Sequence, residues 1–244
     1  FDNNVIGVRT YCDDVVYAEV SAIGGDHNGN ISITNNNISV TNVAITHGSI
    51  IKMNSLAQIA PRNLVVDNNT ILLDSTSDVD IISVSLTATT TAGANASVSG
   101  NRIFEADGDA TSPVRNAINI SGSSAAGWDG VVVSNNVIGT SETALRATNN
   151  GAIRVIGSND LRNVVCNGNS ISGWCGTGAN RASIYIDQVD RVVCNSNSTA
   201  YSGSAGENSI RVTNCPSGNV SANETDGGSW DVAGSTVTVT GSNS

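Results

Sequence analysis

Three carboxylates hold related places in the sequence. Asp107 lies six residues after Asn101, Glu142 six after Asn136, and Asp74 five after Asn69. If the turns that carry them keep register in neighbouring layers, Asp107 and Glu142 stand roughly 5 Å apart, the separation used by retaining glycosidases. Charges that close push one carboxyl pKa up, giving one acid and one base or nucleophile. The competing reading is plain: acidic residues in exposed turns of an acidic chain are solvated. Trp174, five after Asn169, and Tyr201, four after Asn197, fall in the same turn of adjacent layers. Rings exposed there suit the apolar face of a sugar, with flanking Asn and Ser for its hydroxyls. Against this, either ring could simply cover the end of the core. Arg181, between Trp174 and the strand opening at Ser183, is placed to pair an acidic sugar.

Other chemistry has little to work with. His27, His47 and Lys52 are the chain's only His and Lys residues, so the usual proton carriers are scarce. Asp107-Gly108-Asp109 and Asp26-His27-Asn28-Gly29-Asn30 lack the full ligand spacing of a calcium loop. The five Cys contain no CxxC, so no zinc or redox motif is supported. Cys166 and Cys194 each precede an Asn by three and are expected to stack inward as small hydrophobes. Sequons such as Asn197-Ser198-Thr199 follow from composition alone, and the alternating Thr236–Thr240 segment reads as an ordinary terminal strand. No metal and no cofactor are expected.

The elements that position these residues come from a repeat. Val133-Ser134-Asn135-Asn136-Val137-Ile138 shares a frame with Ile33–Ile38, Val66–Ile71, Val98–Ile103, Cys166–Ile171, Cys194–Thr199 and Val220–Thr225. Phe1–Gly7 matches Val133–Gly139 almost letter for letter. The anchor Asn falls at 4, 36, 69, 101, 136, 169, 197 and 223, with spacings of 32, 33, 32, 35, 33, 28 and 26. A second short run, of alternating or β-branched residues, precedes the anchor: Ser183–Ile186, Ser209–Val212, Ser55–Gln58 and, farther upstream, Ala117–Ile120. Each period therefore holds two or three short strands between Asn/Gly/Ser turns.

A unit this short cannot bury its own apolar face, but stacked units can, each strand pairing in parallel with its equivalent in the next turn. Columns of Val, Ile and Leu then repeat at about 4.8 Å. The anchor Asn is expected to take the left-handed backbone conformation at a sharp bend. Its amide is expected to bond the Asn above and below.

This motif resembles the repeat of right-handed, pectate-lyase-like parallel β-helices, and the resemblance covers essentially the whole chain. Within that fold the Ser/Thr/Asn-rich, Lys-poor layers look most like a bacteriophage tailspike or tail fibre. The resemblance implies an all-β right-handed parallel β-helix of about eight rungs. It also implies a homotrimer on the virion tail, or alternatively an extracellular or cell-surface location. The implied function is recognition, with or without hydrolysis, of bacterial surface polysaccharide. The other reading is a non-catalytic structural or adhesive stalk.

Composition fits the fold. The 244 residues include 32 Asn, 32 Ser and 25 Gly, all poor in helix interiors. They are read as a single domain, 1–244, which is a piece of a longer chain because Phe1 enters the repeat midway. A net charge of −10 disfavours nucleic acid. No apolar run approaches the length of a membrane-spanning helix, so no membrane insertion is expected.

Overall fold

The computed structural model describes residues 1–8, 13–20, 30–41, 48–55, 63–74, 79–86, 93–106, 116–122, 128–140, 151–174, 182–200, 208–226 and 229–240. Among them every regular element is a strand, and every strand pairing is parallel: the chain is an all-β parallel solenoid.

Three stacks of strands build the walls. The first begins right after each anchor Asn: Val5–Val8, Asn37–Thr41, Thr70–Asp74, Arg102–Glu105, Val137–Thr140, Ser170–Ser172, Ser198–Ala200 and Glu224–Asp226 form one eight-stranded sheet in that order. The second lies just before the anchor. It opens with Asn30–Thr34, Asn63–Asp67, Ala94–Ser99 and Trp128–Ser134, and ends with Ser217–Ser221 and Val237–Thr240. The third, farther upstream in each period, opens with Val16–Val20, Ser49–Ser55, Asp80–Leu86 and Ile118–Gly122 and ends with Asn208–Thr213 and Ser229–Asp231. Ile153–Asn167 and Ala182–Asn195 each run through both the third and the second stack. Ala182–Asn195 lies in the shortened period of 28 from Asn169 to Asn197, whereas Ile153–Asn167 lies in the period of 33 before it, and the 26-residue period from Asn197 to Asn223 holds the separate strands Asn208–Thr213 and Ser217–Ser221. The bends within these long strands fall near Ser158 and Gln188, both at positive φ.

Alternation decides what faces inward. Ile38, Ile71, Ile103, Ile138 and Ile171 form one buried column of the first stack, continued by Thr199 and Thr225. Ile51, Ile82, Ile118, Ile153, Ile184 and Ile210 form another in the third. In the second, Ile33, Val66, Val98, Val133, Cys166, Cys194 and Val220 stack in register and are buried. The inward, stacked placement expected of the two Cys residues is what the structure has. The strand read at Ser55–Gln58 is displaced: the strand there is Ser49–Ser55, and residues 56–58 lie outside the described residues. Insertions of unequal length break the fixed offset used to place it.

The anchor Asn ladder is present. Nδ2 of each anchor donates to Oδ1 of the next, from Asn4 to Asn36 at 2.9 Å through Asn101 to Asn136 at 3.0 Å and Asn197 to Asn223 at 2.8 Å. The same Oδ1 also accepts the preceding anchor's backbone N–H, as Asn136 does from Asn101 at 3.0 Å. The second Nδ2 hydrogen reaches a carbonyl, for example Val98 from Asn136 at 2.9 Å. The left-handed residue, however, is not the anchor but the one before it. Asn3, Asn35, Asn68, Gly100, Asn135, Gly168, Ser196 and Ala222 all have φ between 51° and 66°. Turning the chain there leaves the anchor side chain aimed inward along the axis, where the ladder needs it.

Candidate functional site

Of the residues singled out from sequence, Asp107, Glu142, Arg181 and Tyr201 lie outside the described residues. Asp74 ends a first-stack strand and is half-buried. The Ala106 N–H donates to the Leu73 carbonyl at 2.8 Å, so parallel register sets Asp74 level with Ala106, one position short of Asp107. Trp174 is not an exposed ring: its relative exposure is 0%. Gly173, at φ 72°, causes this. Ser170, Ile171 and Ser172 alternate out, in, out, and the left-handed glycine resets the alternation so that Trp174 turns into the core. A carboxylate passed over in the sequence, Glu105, occupies the inward column of Val40 and Leu73 and is fully buried, accepting a hydrogen bond from Thr140 Oγ1 at 3.1 Å.

The outer face of the first stack carries a different constellation. An open groove of about 560 Å³ runs across successive strands there. One row at its floor is Leu72, Phe104, Gly139 and Ser172; the row beside it is Thr70, Arg102, Val137 and Ser170. Leu72 is 37%, Phe104 46% and Val137 50% exposed. Gly139 fixes the lie of the ring. A Cβ at that position would come within 3.3 Å of Phe104 Cδ2, so the missing side chain lets the ring lean along the axis over the next strand. Asn37, Thr70, Ser170 and Ser172 add amide and hydroxyl groups, Thr140 borders the groove with its hydroxyl turned to Glu105, and no Asp or Glu is among the described lining residues. The arrangement offers an aromatic platform with a guanidinium two residues away on the same face, and hydrogen-bonding groups around both. Nothing in the repeat marks it, because outward positions are free to vary.

Comparison with protein families, with curated proteins and with solved structures returned no match.

The third stack's outer face is polar and closed upon itself. Asp80 accepts from Asn116 at 2.6 Å and from Asn119 at 2.7 Å, and Asn119 accepts from Arg154 at 2.9 Å. Lys52 lies 5.7 Å from the Tyr17 ring centroid, and the Tyr17 hydroxyl donates to Glu19. Tyr185 has its pKa raised, chiefly by burial and opposed by a hydrogen bond from Thr213. In the core, the Cys166 thiol is pushed well up by its hydrogen bond with Cys194 and by burial. Burial also raises Cys215. These thiols are poor nucleophiles in the folded chain.

Proposed function

We propose that this β-solenoid recognises a glycan on the outer face of its first stack, as a tailspike-like protein binding bacterial surface polysaccharide. The observation that carries the reading is the exposed Phe104 ring, spread over Gly139 in an open groove and bordered by Leu72, Val137 and a row of hydroxyl and amide groups. Sugars present an apolar ring face and a rim of hydroxyls, and such a surface satisfies both. A rigid sheet also fixes the platform without an ordering cost on binding. The groups that line the groove, a ring, a guanidinium, amides and hydroxyls, are those of recognition. With the reading go a homotrimer and a place on the virion tail.

Glycan binding to a panel of bacterial surface polysaccharides tests it, read by calorimetry with the reducing ends followed in parallel. The expected result is binding without release of fragments, weakened at least about tenfold in Phe104→Ala, the loss of one aromatic stacking contact. Binding unchanged in Phe104→Ala would move the site elsewhere. No binding to any member leaves the chain a structural rod, for which the hydrogen-bonded Asn ladder is sufficient reason.

A further inference from the structure

We infer that the glycan held in this groove is acidic, its anionic substituent gripped by Arg102 while a sugar face rests on Phe104; the inference rests on the reading of this face as a glycan surface. Of the described cationic side chains, Lys52 stands 3.9 Å from Asp14, Arg162 pairs Asp129 at 2.9 Å, Arg211 pairs Asp231 at 3.2 Å, and Arg154 bonds Asn119. Arg102 and Arg191 are different: among the described residues no hydrogen bond or ion pair engages either guanidinium. In a chain with 21 acidic and 11 basic residues, partners are in excess. Yet each of these two side chains lines a groove, Arg102 the one over the first stack, Arg191 a smaller one on the second with Ser217, Asn219 and Thr238.

Position makes Arg102 useful. It alternates with Phe104 on one strand, so both side chains stand on the same face, about 7 Å apart along the strand. A pyranose ring stacked on Phe104 brings an exocyclic carboxylate within reach of the flexible guanidinium. The planar fork of Arg matches a carboxylate with two parallel hydrogen bonds. Its neighbours in the row, Thr70 and Val137, are uncharged and leave the fork free to turn toward a ligand.

The test uses a panel of acidic bacterial capsular polysaccharides, each as isolated and after chemical reduction of its carboxyl groups. Wild type, Arg102→Gln, Arg102→Lys and Phe104→Ala are titrated, with far-UV circular dichroism verifying each fold. The inference expects a member that binds as isolated and loses about tenfold or more on carboxyl reduction or in Arg102→Gln, as removal of a charge-assisted hydrogen bond requires. Arg102→Lys should fall between, keeping the charge without the fork. Phe104→Ala should weaken both forms of the polymer. Equal binding before and after reduction, unaffected by Arg102→Gln but weakened by Phe104→Ala, overturns the acidic assignment and keeps the glycan surface. Absence of binding across all forms overturns both.

Discussion

At the scale of single residues, the anchor Asn and the residue before it divide one task. The anchor supplies a buried acceptor that takes two hydrogen bonds from its neighbour; the preceding residue supplies the turn. Asn136→Leu leaves the Asn101 N–H and Nδ2 without their acceptor and should cost about 3 kcal/mol or more, each stranded buried group contributing roughly 1–3 kcal/mol. Asn37→Ala, exposed on the first stack, should cost under about 0.5 kcal/mol. Denaturant titration of the two variants checks the contrast. At the turn position, Ala222 holds φ 51° without help from its side chain. Ala222→Gly should therefore stabilise by about 0.5 kcal/mol, the relief of left-handed strain outweighing the glycine's entropy. The stacked thiols make a pH prediction. Cys166 is raised in the folded chain, so it stays protonated where the unfolded thiol ionises. Its stabilising share is whole below the ordinary thiol pKa of about 8.5 and is lost as pH rises through and beyond it. The denaturation midpoint should fall between pH 7 and pH 10 by less in Cys166→Val than in wild type. The ladder was legible in sequence because an amide stacked on its own kind tolerates no other side chain. The turn was assigned one residue late because Asn often fills both places, as at Asn35-Asn36 and Asn135-Asn136; Gly100-Asn101 and Ser196-Asn197 separate the two roles.

At the scale of the strand, alternation governs both stability and the site. Ile103 and Phe104 are neighbours on one strand with opposite destinies. Ile103→Ala opens a cavity in the buried column and should cost about 2–5 kcal/mol. Phe104→Ala, on the half-exposed side, should cost less than about 1 kcal/mol while weakening glycan binding. Thermal melts and calorimetry on the same pair separate the two effects. The inward columns could be read from the sequence because β-branched residues recur there in frame with the anchor. The groove could not: its outward row runs Gly7, Ser39, Leu72, Phe104, Gly139, Ser172, with no common chemistry to notice. Trp174 misled for a related reason. Offset from the anchor predicts an outward ring only while the strand continues, and Gly173 ends it.

At the scale of the whole molecule, each layer touches chiefly the layers beside it, so stability is set locally and propagates along the stack. The parallel solenoid itself was legible, since only stacking lets so short a unit bury an apolar face. The assembly and the ligand were not, since both depend on outward side chains that the repeat does not constrain. If the chain acts as a trimeric spike, light scattering should give about three times 24.8 kDa, and a monomer mass would count against the trimer. A crystal structure with a bound oligosaccharide from the polymer decides whether the first-stack face is the glycan surface. A sugar ring is expected to stack on Phe104 between Leu72 and Val137, with an acidic substituent at Arg102. An oligosaccharide seated on the polar third-stack face, with the Phe104 groove empty, would contradict it.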